Sequence, residues 1–268
     1  WPKWTHGHGG LAVHAGGELW RYKPSDDVWS GEDALGDTFI ANNLVSPVGM
    51  WVHRPTSKTT HLWAIGEPND QANPVLYCVE SISEDGEVEV ECDGQEIGIN
   101  EDDEELHAIA GSYLCSGGGD CSYHLVLGAD FPQGNGHLTD VFENEGGEQE
   151  VWENTFFDSQ AQAGHITHDI AAFGDGQYII VGGGGYMRHR AANGNLTWLP
   201  SLKNGQSQRD FRGAWSGAGT TVVVATRNPG NNPDFEMWTV SNSADATSGS
   251  AWNIIKLNDM SDESYLYD

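Results

Sequence analysis

Histidine recurs in short segments spread along the chain, and its spacing could support ligand chemistry. His6 and His8 lie in THGHGG, His53 in MWVHRP, His107 in ELHAIAG and His168 in HITHDIA. Neutral imidazoles are common transition-metal ligands, and residues two apart on a strand, such as His6 and His8, point to the same side. If these segments converge, they predict a transition-metal or anion site. The alternative is a polar lining around a water-filled space.

Two carboxylates in the same kind of segment suggest a second chemistry. Asp169 follows His168, and Asp210 lies in SQRDFRGAW. Two carboxyl groups roughly 5–9 Å apart can cleave a glycosidic bond. A glycan-cleaving hydrolase is therefore one hypothesis, with Asp169 and Asp210 as catalytic candidates. The sequence has neither a GxSxG elbow nor a P-loop, so serine-hydrolase and nucleotide chemistry lack their motifs.

Aromatic and basic side chains accompany these segments and favour a binding role. Trp51 precedes His53, while Arg212 and Trp215 follow Asp210. Indole faces stack on the CH-rich faces of sugars. The residues that we predict to bind a ligand are His53, His107, His168, Arg212, Trp51 and Trp215. A glycan or another surface protein is the predicted partner.

The segments above open a unit that recurs five times. Each unit continues with a short apolar strand, a more alternating third strand and a fourth strand that usually carries Trp. The apolar strands are GLAVHA, HLWAIG, YHLVLG, QYIIVGG and TTVVVAT. Trp152, Trp198 and Trp252 follow one another at 46 and 54 residues. This period is typical of one β-propeller blade per unit.

The predicted fold is therefore all-β, a single β-propeller domain over 1–268 with about five four-stranded blades. The blades are expected at approximately 1–35, 44–93, 104–158, 164–202 and 208–258, and 259–268 is a candidate closing strand. A lone sheet cannot bury both faces, so neighbouring blades must pack face to face. In a closed ring the opening strands line a central channel, which is how histidines from distant segments could meet.

The fourth unit reads DIAAFGDGQYIIVGGGGYMRHRAANGNLTWLP and resembles blades of the BNR/Asp-box propellers. Asn193, Thr197 and Trp198 match the turn pattern of that family, and Gly194 is displaced by one position. The resemblance covers most of the chain as a blade pattern and one unit as a motif. It implies a propeller fold, and family members include sialidases and secreted glycan-associated proteins. It assigns no function, because propellers host many unrelated activities.

Charge is the strongest compositional signal. Forty acidic residues face 12 basic ones, for a net charge of −28. Such a surface repels nucleic acid and anionic membranes, so neither is an expected partner, and no apolar run is long enough to insert into a membrane. Two explanations stay open: adaptation to high salt, or binding of calcium by carboxylates such as those at 100–105 (NEDDEE).

The cysteines and the N-terminal residue favour an oxidising compartment. Cys78 and Cys92 flank one short loop and Cys115 and Cys121 another, so we expect two local disulfides. The chain begins with Trp, which suggests that a preceding segment was removed. The expected location is extracellular, on a cell surface or on a virion. The leading hypothesis is a secreted or surface-displayed binding or structural propeller, such as a surface-layer, adhesin or virion appendage protein. A hydrolase is the alternative.

Overall fold

The computed structural model describes the backbone in residues 3–5, 11–13, 19–23, 28–31, 44–53, 60–68, 75–82, 88–89, 95–96, 105–115, 121–130, 136–144, 149–157, 166–199, 209–217, 219–227 and 234–257. Side chains are described in 49–53, 63–65, 107–115, 121–128, 138, 166–199, 209–217, 219–226 and 235–256. The strands within these ranges form five antiparallel sheets, each built strand by strand in chain order.

Sheets 1 and 2 come from the N-terminal part of the chain. Sheet 1 contains β1 (Lys3–Thr5), β2 (Leu11–Val13), β3 (Leu19–Lys23) and β4 (Val28–Gly31). Sheet 2 contains β5 (Leu44–His53), β6 (Thr60–Pro68), β7 (Val75–Ile82), β8 (Val88–Glu89) and β9 (Gln95–Glu96).

The remaining three sheets follow the same order. Sheet 3 contains β10 (Glu105–Cys115), β11 (Cys121–Asp130), β12 (Gly136–Asn144) and β13 (Gln149–Phe157). Sheet 4 contains β14 (Thr167–Gly174), β15 (Gln177–Gly182), β16 (Met187–Arg190) and β17 (Leu196–Trp198). Sheet 5 contains β18 (Arg209–Gly217), β19 (Thr220–Arg227), β20 (Asp234–Ser241) and β21 (Asn253–Leu257).

These elements confirm the all-β prediction, and the described residues contain no α-helix. Accordingly, this part of the chain offers no helix of the length and apolarity needed to cross a membrane. Sheet 2 departs from the expected four strands, because two short strands, β8 and β9, both pair with β7.

First strands of consecutive sheets lie side by side. β1 neighbours β5, β5 neighbours β10, β10 neighbours β14, and β14 neighbours β18. Backbones of adjacent sheets approach each other mainly through their first and second strands. Residues at equivalent points of the first strands therefore form a row across the sheets.

The second strand of sheet 4 shows how the apolar runs are used. Ile179 and Val181 join a core cluster shared with sheet 5, whereas Tyr178 and Ile180 join a cluster shared with sheet 3. Because side chains alternate along a strand, a sheet packed on both faces needs apolar residues at consecutive positions. This requirement explains the continuous run QYIIVG in β15.

Sheets 2 and 3 meet through aromatic rings. The Trp51 ring lies 4.9 Å from that of Trp63, and the Trp63 ring lies 4.4 Å from that of Tyr123. Gly111 permits this approach, since a Cβ atom there would come within 2.6 Å of the Trp51 ring. The glycine is thus required by packing between the sheets.

Candidate functional site

A β-bulge recurs near the start of three consecutive first strands. The register between β10 and β11 skips His107, that between β14 and β15 skips His168, and that between β18 and β19 skips Arg212. A bulge bends the strand and re-aims its extra side chain. Three of the residues predicted to bind a ligand therefore occupy equivalent positions in neighbouring strands. We call His107, His168 and Arg212 the bulge row.

Sheets 4 and 5 are joined at this row by an ionic cluster. His168 Nε2 lies 3.3 Å from Asp210 Oδ1, and the Arg212 guanidinium contacts Asp210 Oδ2. Asp210 is largely buried, whereas the Arg212 side chain is 48% exposed. The carboxylate therefore holds two basic side chains in place, and one of them remains accessible to a ligand.

The environment of Asp210 favours its ionised form. Burial raises the pKa of Asp210, but the contacts with His168 and Arg212 outweigh burial and lower the pKa below its ordinary value. A general acid for glycoside cleavage needs a raised pKa, so that it carries a proton near neutral pH. The lowered pKa does not favour the acid role for Asp210, and its assignment as a catalytic residue stays a prediction.

Asp169 acts on the backbone of the adjacent sheet. Its Oδ2 accepts a hydrogen bond from the Ala214 N–H at 2.8 Å, and its Oδ1 accepts one from the Ile170 N–H at 2.9 Å. Ala214 lies in β18, the first strand of sheet 5, and among the described strands of that sheet β18 pairs on one edge alone, with β19. Asp169 therefore satisfies a donor on the neighbouring first strand and links sheets 4 and 5. Its assignment as a catalytic residue stays a prediction.

A second ion pair joins Arg209 of β18 to Glu236 of β20 within sheet 5, and it is not evident from the sequence. Arg209 Nε donates to Glu236 Oε2 at 2.8 Å, and Trp238 Nε1 donates to the same oxygen at 3.1 Å. Glu236 is only 1% exposed. A buried carboxylate is tolerated when charged and polar donors satisfy it. The only sequence signal is an acidic residue within the apolar third strand FEMWTVS.

The structure places His53 away from the bulge row. The His53 ring stacks on Tyr113 at 4.9 Å and lies 6.0 Å from the Trp51 ring. Tyr113 is six residues beyond His107 in β10, which corresponds to roughly 20 Å of extended strand. The expectation that His53 would sit beside His107 and His168 is corrected accordingly. Its burial among aromatic rings lowers the pKa of His53, so the neutral imidazole is favoured there.

The two tryptophans predicted to bind a ligand occupy equivalent positions in different surroundings. Trp51 is the third residue after the register shift in β5, and Trp215 is the third after the shift in β18. Trp51 packs between sheets 2 and 3, which gives it a structural role. Trp215 is 42% exposed and lies over Gly217 of its own strand.

The side chains that the structure describes contain no metal-binding cluster. Within them, no three His, Cys, Asp or Glu residues are grouped so as to hold an ion. His6, His8 and the acidic segment 100–105 lie almost entirely outside the described residues, so the transition-metal and calcium predictions for them stay predictions.

One of the two expected disulfides is confirmed. Cys115 and Cys121 face each other across β10 and β11 and are bonded, with their Cα atoms 4.0 Å apart. Cys92 lies outside the described residues, so the pairing of Cys78 with Cys92 stays a prediction.

The turn that resembles an Asp-box connects β16 and β17. The Asn195 N–H donates to Asn193 Oδ1 at 3.1 Å, and the Ala191 N–H donates to the Asn195 carbonyl at 2.9 Å. Gly194 has a φ of 85°, a conformation that favours glycine. Trp198, which follows the turn, packs against the Arg188 guanidinium at 3.7 Å from the ring centroid.

No protein-family model matches the chain, and no curated protein sequence matches it. Among solved structures, the β-propeller domain of Nup133 from Vanderwaltozyma polyspora is similar to it, with a TM-score of 0.45 and 14% identity. That similarity covers 94% of this chain and 67% of the other.

Proposed function

We propose that the protein is a secreted or surface-displayed binding module, folded as a five-bladed β-propeller, with its ligand site at the bulge row. The observation that carries this proposal is the recurrence of a bulge with a polar side chain, His107, His168 or Arg212, in three adjacent first strands. Bulges are enriched beside functional sites, where they re-aim a side chain. A surface-layer, adhesin or virion appendage protein would use such a site for attachment.

The five sheets are proposed to form a closed ring. Each first strand neighbours the next, from β1 to β18. Sheet 4 shares one core cluster with sheet 3 and another with sheet 5. Trp51 is covered by sheet 3, and Trp215 offers the equivalent surface on sheet 5. Sheet 1 is the natural cover for that surface, because closure would bury it by the same packing used between sheets 2 and 3.

A neutral or weakly basic sugar fits the chemistry of the row better than a polyanion. The net charge of −28 disfavours anionic polymers, since like charges repel over the whole surface. Imidazole, guanidinium and carboxylate groups together can donate to and accept from sugar hydroxyls. The pairing of Asp210 with Arg212 and His168 fixes their orientation before a ligand arrives.

A glycan array with matched variants tests the proposal. Arg212→Ala and His168→Ala are expected to weaken binding at least tenfold, because each removes a side chain of the row. Lys256→Ala is the control, since Lys256 is an exposed basic residue on β21, in the outermost strand of sheet 5. Equal binding by all variants, or no binding by any, would overturn the proposed site. Reducing-sugar release that depends on Asp169 and Asp210 would instead support the hydrolase alternative.

The Cys115–Cys121 bond is compatible with an extracellular location and supports this part of the proposal. Fractionation of the producing cells tests it. Recovery of the oxidised protein from the medium, envelope or virion fraction is the expected result. Recovery of reduced protein from the cytosol contradicts secretion.

A further inference from the structure

The sequence Asn195-Leu196-Thr197 begins at the last residue of the β16–β17 turn and continues into β17 of sheet 4. It is the one Asn-X-Ser/Thr triplet in the 268 residues in which X is not proline. This triplet is the acceptor signal for N-linked glycosylation. We propose that Asn195 is an N-glycan acceptor site. The proposal rests on the proposed passage of the chain through a secretory compartment.

The local geometry leaves room for a glycan. Asn195 and Thr197 are both exposed, whereas Leu196 and Trp198 pack against the core cluster between sheets 3 and 4. The alternation of a strand thus separates the acceptor residues from the packed ones. A sugar on Asn195 would extend into solvent without displacing a core side chain.

Hydrogen bonds of the turn use the main chain of Asn195. Its N–H donates to Asn193, and its carbonyl accepts from Ala191. Substitution of the carboxamide nitrogen leaves both bonds in place. The turn is therefore expected to fold equally well with and without the modification.

The transfer needs a lipid-pyrophosphate-linked oligosaccharide as donor. The Asn195 amide nitrogen attacks the anomeric carbon, a C–N bond forms, and the bond from that carbon to the pyrophosphate oxygen breaks. The amide nitrogen loses one proton to a base of the transferase, and the lipid pyrophosphate leaves. No oxidation or reduction occurs.

The position also suggests what the glycan does. β17 is the last strand of sheet 4, and its outer edge is not paired with another described strand. Exposed edges can pair with other chains, and natural proteins block them with bulky or charged groups. A glycan beside β17 would shield this edge, at the end of the sheet opposite the first strand β14.

Translation of the full chain behind a signal sequence into microsomes tests the site. A C-terminal tag with its own acceptor triplet reports translocation in every sample. The wild-type chain and the Thr197→Ser variant are expected to gain two glycans, one on the tag and one on Asn195. Asn195→Gln and the nearly isosteric Thr197→Val variant are expected to gain one.

Peptide mapping after enzymatic glycan release assigns the modified residue, because release leaves aspartate in place of the glycosylated asparagine. A wild-type chain that carries a glycan only on the tag overturns the proposal. The assay supplies the secretory environment, so its failure is distinct from a failure of the proposed location. It is also independent of ligand binding by the bulge row.

Discussion

Replacement of Trp215 by alanine tests whether sheet 5 is covered by another sheet. Trp215 is 42% exposed in sheet 5, whereas the equivalent Trp51 packs against sheet 3. If the ring closes, the exposed part of the Trp215 indole becomes buried as well. Trp51→Ala is the matched reference, because the two residues occupy the same position after the bulge.

The expected magnitude follows from the exposed area. An aromatic side chain of this size buries roughly 200–250 Å² when fully covered. The exposed 42% of Trp215 is then on the order of 100 Å², which contributes about 2.5 kcal/mol at ~25 cal/mol per Å². Large-to-small replacement of a covered tryptophan costs about 3–5 kcal/mol in total. We expect Trp51→Ala to fall in that range, and Trp215→Ala to lie within about 1 kcal/mol of it if the ring is closed.

Urea unfolding followed by far-UV circular dichroism measures both values. A loss below about 1 kcal/mol for Trp215→Ala, typical of a surface substitution, beside a loss above about 3 kcal/mol for Trp51→Ala, would refute closure over this face. Hydroxyl-radical footprinting of the wild-type chain adds an independent readout. Closure predicts that Trp215 is protected to the same degree as Trp51.

Four further outcomes follow from the structure and the sequence. Gly182→Ala should cost more than about 3 kcal/mol in urea unfolding, because its Cβ would lie 1.6 Å from the Ile166 carbonyl oxygen; a loss under about 1 kcal/mol contradicts this packing. Asp210 has a lowered pKa in the folded state. Its contribution to the free energy of unfolding is therefore fully present above its unfolded pKa near ~4 and is lost as the pH falls through the folded pKa. Asp210→Asn should therefore lose about 1–3 kcal/mol at pH 7 and show a flatter stability profile below about pH 4, and an unchanged profile counts against the cluster. Serine at both Cys115 and Cys121, which are six residues apart, should cost about 2 kcal/mol, measured by thermal melting against the oxidised wild type. Melting in molar sodium chloride and in millimolar calcium separates the two explanations of the net charge: a steep rise with sodium chloride favours salt adaptation, a rise specific to calcium favours cation binding, and flat responses reject both.

Most of the strands could be predicted because short apolar runs in the sequence indicate buried strands. The run QYIIVG is apolar at consecutive positions since both of its faces are covered, and β15 forms there. The run EVEVE, in which Glu and Val alternate, likewise predicts a strand, and β8 (Val88–Glu89) forms within it and pairs with β7.

The candidate site could be predicted only in part. His107, His168 and Arg212 were selected for their chemical type, but their shared bulge depends on backbone register between strands, which residue types do not encode. His53 was wrongly grouped with His107 and His168 because it lies at the far end of the ten-residue strand β5, beside Tyr113. Residue type alone could not distinguish one end of such a strand from the other.

The bulge positions can hold different side chains without a change in strand pairing. The backbone ladder on either side of each bulge continues whatever side chain occupies the skipped position, since the register resumes at the next residue. In this chain the position holds histidine twice and arginine once, and the corresponding skip in β5 falls on Val48. Sheets 2 to 5 therefore each have one residue at this bulge position. A single substitution at such a position changes the chemistry of the row while the strand pairing of that sheet stays intact.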